Sequence, residues 1–347
     1  MSSPFVHDAP PPQRVVFAPG ALAQVAEEAR RLGMARALVV ATPGSGARLG
    51  ERVLAMLGSR AAGLCAIAAI HVPRAVAEAG LAAARENRAD GLVAVGGGSA
   101  IGLAKIVARD TALPILAVPT TYSGSEATTI WGTTDGDRKM TGRAAAVLPR
   151  TVIYDPELTL GLPAAVTASS AMNAMAHCIM GLWSPTRTPI STACAGEAVR
   201  RFGAFLPRAV ADGSDIEARG ECLVASWLAG TVLAAGTGLN HKLAHVLGGY
   251  GLPHAETHAV LLPHTTRFNA AAGGKVPARL AEALHAADPA GALAGMLAGF
   301  GIPQRLRDLG FDAARIPDAA AQVGALGIET PRRVTAEDAR ALLEAAF

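Results

Sequence analysis

Residues 91–95 read GLVAV, and the chain runs straight from them into GGGS and then IGLAKIVAR. A short run that is apolar on both faces belongs in a sheet covered on both sides. ALVVAT (37–42), PILAVPTT (114–121) and TVIYDP (151–156) have the same character. RVVF (14–17), 64–70 and 131–134 read as further strands. Helical patterns lie between them, from Ala21 to a stop at Gly33 and over about 47–58, 76–88 and 101–109. Short strands alternating with helices predict a parallel sheet wound with helices. From Leu158 onward the pattern turns helical, with apolar helices over 167–183, 191–210, 215–236 and 240–250 and shorter ones to Phe347. Asp155-Pro156 is a natural boundary. Two domains are expected, an α/β domain over 1–157 and an all-α domain over 158–347, with the active site in the cleft between them.

Composition narrows the function. Hydrophobic residues make up 51% and charged residues 17% of 347 residues, which fits a well-packed globule and not a disordered chain. A formal net charge of +3 gives no case for nucleic acid as a partner. No run reaches the roughly 18 apolar residues of a membrane span. Four cysteines (65, 178, 194, 222) form no CxxC, which points to a reducing, cytoplasmic compartment. Cys178 beside His177 reads as a small buried thiol, not a nucleophile.

Ligands of parallel sheets sit at the carboxyl ends of the strands, and three loops fall there: 42–44, 96–99 and 120–126. Gly96 to Ser99, after a strand and before a helix, lets backbone N–H groups approach an anion, with the helix dipole behind them. That is a pyrophosphate cradle, although Ile101 stands where GxGxxG has its third glycine. The first domain is therefore read as a Rossmann-like dinucleotide-binding domain. PTTYSGSEATT adds hydroxyls that suit phosphate, ribose or nicotinamide, and Lys139 and Arg143 lie in the hairpin that follows.

Asn240 to His264 holds five of the nine histidines, at 241, 245, 254, 258 and 264. His241 and His245 are one helical turn apart, as are His254 and His258, and GGYGLP breaks the chain between the pairs. Asn173 and His177 share a helix face in the same way. Such an arrangement serves a metal or a proton-transfer site.

GGGS, Pro119 to Glu126, VIYDPEL and HKLAHVLGG…LPHAETHAVLLPH together resemble the iron-containing (group III) alcohol dehydrogenase family over nearly the whole chain. YSGSEATTIWG, MTGR, MNAMAH and PHAETH resemble the branch of that family that reduces maleylacetate. Gly102 departs from the family's Asp, and the PTTYSGSE loop is one residue shorter. The resemblance implies a dehydroquinate synthase-like architecture and a homodimer. It also implies NAD(P)H-dependent reduction of the carbon–carbon double bond of maleylacetate, a dicarboxylate, to 3-oxoadipate in aromatic-compound breakdown. The family's metal site is an Asp and three His; the matching positions are Asn173, His177, His241 and His254. With the anionic ligand lost, that set reads as degenerate, and no metal is expected. Hydride addition to an enone leaves an enolate, which hydrogen-bond donors can stabilise, whereas an alkoxide favours a Lewis acid.

The implied catalytic residues are His241, His245, His177 and Lys139. Cofactor contacts fall to Thr42, Gly97, Gly98, Ser99, Thr120, Thr121, Ser123 and Lys139, and substrate contacts to Tyr122, Arg143, Asn173 and His254. Thr42 stands where many NAD-specific members carry an Asp, so NADH and NADPH are both expected to fit. A metal-dependent alcohol or polyol dehydrogenase of the same family is the alternative, and a nucleotide-binding regulator without catalysis is the reading from another class.

Overall fold

The computed structural model describes residues 5, 7 and 10–347 except 137, 234–235, 237 and 329–330, with only the backbone described at 138 and 139. The chain divides into two compact units, residues 8–161 and residues 162–347 together with 1–7.

The first unit is built on six parallel strands: β1 (Arg14–Phe17), β2 (Ala37–Val40), β3 (Ala61–Cys65), β4 (Gly91–Gly96), β5 (Ile115–Pro119) and β8 (Thr151–Tyr154). They lie in the order β1-β8-β5-β4-β2-β3. Helices α1 (Val25–Arg31), α2 (Ser45–Leu57), α3 (Arg74–Glu86) and α4 (Gly98–Thr111) alternate with the strands. Apolar layers on the two faces account for the unalternating sequences: Leu38, Ala94 and Ile115 fill one, and Val39, Val93 and Leu116 the other. One expected strand is displaced. The sheet uses 61–65 and not 64–70, because β3 pairs with β2 only as far as Cys65. β6 (Ile130–Asp135) and β7 (Arg138–Arg143) form a separate antiparallel hairpin.

The sheet order reverses between β2 and β4, since the chain runs from β2 outward to β3 and then returns to build on β4. In open parallel sheets, ligands bind beside such a reversal, at the carboxyl ends of the strands. Thr42 follows one of these two strands and Gly97–Ser99 the other.

The second unit is helical: α5 (Ala164–Leu182), α6 (Pro189–Ala211), α7 (Ile216–Val232), α8 (Leu239–Gly248), α9 (His254–Ala270), α10 (Val276–Ala283), α11 (Pro289–Gly299), α12 (Ile316–Ala325) and α13 (Ala336–Ala346). α5 is buried almost all round from Thr167 to Leu182, as its run of alanines, serines and methionines allows. It packs against α6, α7, α8 and α9. Thr188 and Ser191 cap α6 reciprocally, and Asp215 caps α7, so these helices begin where the sequence supplies an acceptor. Among the described residues no helix is long and apolar enough to cross a membrane.

Candidate active site

Helix α8 ends at Gly248, and the GGYGLP break turns through Gly251 at φ 86°, a left-handed conformation suited to glycine. α9 starts at His254 directly after Pro253. His241 and His245 thus rise one turn apart on α8, and His254 and His258 one turn apart at the start of α9. Helix α5 brings His177. The His241 ring centroid lies 4.6 Å from His245, 4.6 Å from His258, 4.8 Å from His177 and 5.7 Å from His254. His254 and His258 are 4.6 Å apart. Five rings therefore cluster, with His177 in the cluster and His264 ten residues beyond His254 along α9.

Burial decides the charge state. It pushes His177 down to about 4. His241 is driven well below the usual imidazole range, first by burial and then by His258 and His177 beside it. At neutral pH both rings are neutral, the state in which an imidazole ligates a metal or donates an N–H without charge. His258 is wholly buried, its Nδ1 lying 2.6 Å from Asn240 Oδ1. The amide of Asn240 is directed towards Thr265 Oγ1 (3.1 Å) and the His258 carbonyl (3.4 Å). Asn173 lies one turn before His177, and its Oδ1 is buried without a hydrogen-bond partner; so is His241 Nδ1.

His241, His245 and His254 each bring a ligand atom to within 4.8 Å of the others. Three imidazoles at such spacing, with two unpartnered polar atoms nearby, fit a divalent cation such as iron or zinc. The cluster offers it no carboxylate.

In the first unit, Thr120 N donates to Gly96 O at 3.2 Å. A Cβ on Gly97 would lie 2.8 Å from Thr121 Oγ1 and 2.9 Å from its Cγ2. One on Gly98 would lie 3.9 Å from Ser123. The glycine loop and the hydroxyl loop are therefore in contact. Tyr122 is fully buried, Thr42 partly buried and Arg143 exposed. Lys139 contributes its backbone to β7, and its side chain lies outside the described residues. Burial pushes the Cys178 thiol far up, in keeping with an inert thiol.

Of the buried ionisable groups, Lys105 was missed by the sequence reading and Glu126 was given no role by it. Lys105 is 1% exposed, and Glu126 accepts a 2.7 Å hydrogen bond from the Tyr154 hydroxyl. The signal for the first was available: a lone lysine within the continuous apolar helix IGLAKIVAR.

Residues 12–156 match the Iron-containing alcohol dehydrogenase family, and residues 167–347 match the Fe-containing alcohol dehydrogenase family, C-terminal. The chain belongs to the iron-containing alcohol dehydrogenases. Within that family it is 44% identical to a maleylacetate reductase of Sphingobium indicum, covering 99% of this chain and 97% of the relative. It is 47% identical to maleylacetate reductase 2 of Cupriavidus pinatubonensis, covering 97% and 95%. The structure of maleylacetate reductase from Agrobacterium tumefaciens superposes with a TM-score of 0.95 at 42% identity, covering 100% of this chain and 99% of that one.

Family membership corrects one expectation. Reading Asn173 as the end of the metal site led to an enzyme without metal, but a chain in this family over both halves points to iron or another metal as cofactor. The physical reason is that losing one carboxylate removes charge from the site but leaves imidazole nitrogens that bind transition metals without it.

Proposed function

We propose that this chain catalyses the NAD(P)H-dependent reduction of the carbon–carbon double bond of maleylacetate to 3-oxoadipate, acting in the cytoplasm as a homodimer in the breakdown of aromatic compounds. The observation that carries the reading is the 41–47% identity to maleylacetate reductases over most or all of the chain. The cluster of imidazoles supports it.

When bound, the nicotinamide would supply a hydride, and a divalent cation held by His241, His245 and His254 would supply Lewis acidity. The chain's own residues bind and move protons. Backbone amides of Gly97, Gly98 and Ser99 at the start of α4 hold the pyrophosphate, and the hydroxyls of Thr120, Thr121 and Ser123 line the same surface. Thr42 is assigned the adenosine ribose, where no carboxylate selects NADH over NADPH. Tyr122, Arg143 and Asn173 are the candidates for holding the dicarboxylate. As charge gathers on the enolate oxygen, the N–H of His177 donates to it. His245, the exposed member of the trio, leaves the site open to water, from which the carbon next to the ketone takes its proton.

The test is NADH oxidation with maleylacetate, followed with product analysis. Stoichiometric 3-oxoadipate is expected. Turnover of simple alcohols with NAD+, and none with maleylacetate, would instead place the chain with the alcohol dehydrogenases of this family.

A further inference from the structure

Lys105 sits two turns into α4 with its ammonium sealed from water. Nζ donates to the carbonyl oxygens of Ser125 (2.6 Å), Thr128 (2.8 Å) and Ile130 (2.9 Å), and lies 2.9 Å from Thr128 Oγ1. Burial pushes Lys105 down to about 7, while three carbonyls, which use all three N–H groups of an ammonium, favour the charged form. Beside it, Glu126 receives the Tyr154 hydroxyl, and its backbone carbonyl accepts from Gln13 Nε2 at 2.8 Å. Burying an ammonium costs more than burying a methionine of similar length, so stability alone does not explain a lysine here.

What the amine gathers is the chain directly after the hydroxyl loop. The helix that carries Lys105 begins with the glycine loop. One rigid element therefore grips both: at its start through the close approach of Gly97 to Thr121, and two turns on through Lys105.

We propose that Lys105 is a positioning residue for the dinucleotide. It fixes residues 123–130 against α4, so that the Thr120–Ser123 hydroxyls and the Gly97–Ser99 amides meet the cofactor as one preformed surface. The inference rests on the assignment of those residues to the cofactor.

Lys105→Ala and Lys105→Met in the full chain, with NADH affinity read by fluorescence and kcat at saturating NADH, test it. The NADH Kd should rise at least about tenfold in both, the scale of a lost preorganised surface, with kcat held within about threefold. Propylammonium replaces the atoms that Lys105→Ala removes, so it should restore affinity in that variant and not in Lys105→Met. A Kd within about twofold of the parent in folded variants, or a fall in kcat with Kd unchanged, overturns the proposal. If neither lysine variant folds, Thr128→Val, which removes the hydroxyl 2.9 Å from Nζ, should raise Kd in the same direction by about threefold, and an unchanged Kd overturns it. Gly97→Ala separates the two levels. If it leaves NADH affinity intact, the cofactor assignment fails. If it weakens NADH and the Lys105 variants do not, the assignment stands and the role of Lys105 falls.

Discussion

Asn240 shows how one side chain sets the chemistry of another. With its amide NH2 directed at Thr265 Oγ1 and the His258 carbonyl, its Oδ1 is left to accept from His258 Nδ1, which places the ring's lone pair on Nε2. Asn240→Leu strips a wholly buried ring nitrogen of that partner and should cost about 1–3 kcal/mol, read as a lower denaturation midpoint with unchanged m-value. His241→Ala and His245→Ala should each lower kcat by at least roughly tenfold while circular dichroism stays the same; wild-type turnover in both would make the rings structural. Thr42→Asp places a carboxylate after β2, beside the sheet reversal. It should raise KM for NADPH at least roughly tenfold more than for NADH, and steady-state kinetics with an unchanged ratio would remove Thr42 from the ribose site.

At the scale of the element, the start of α4 is governed by Gly96. Its φ of 139° lies where side chains are strained, and its carbonyl receives the amide of Thr120. Gly96→Ala should destabilise the protein by about 1–3 kcal/mol, measured as a fall in Tm, and should weaken NADH binding in step. This strand–turn–helix was legible in the sequence because GLVAV and GGGS are local signals. The pairs on α8 and α9 were legible for the same reason, since a spacing of four residues fixes a shared helix face. The joining of His177 to them was expected from the family resemblance and not from any local pattern. It depends on how α5 packs against α8 and α9, and no local pattern encodes that packing.

The whole molecule carries the histidine cluster as an acid liability. His177 titrates near 4 in the folded chain, below the usual value of about 6.5. Between those values the unfolded chain binds the extra proton, so stability is full above about pH 6.5 and declines as pH falls towards 4. The loss from His177 alone should reach about 3 kcal/mol, and denaturation midpoints across that window should flatten in His177→Gln. An unchanged slope would show that the ring is not buried as neutral imidazole.

The sequence by itself determined the doubly covered sheet, the glycine turn at its carboxyl edge, the helical second unit and the pairing of histidines along helices. Each follows from local periodicity or turn chemistry, which act over a few residues. Tertiary structure decided the end of β3 at Cys65, the gathering of five rings from three helices, and the lock of Asn240 on His258. It also decided the partners of Lys105, whose Nζ finds three carbonyls 20 to 25 residues further along the chain. Those outcomes depend on burial and on partners distant in sequence. Burial turns a titratable side chain into a neutral ligand or an obligatory donor, and only the folded chain sets its extent.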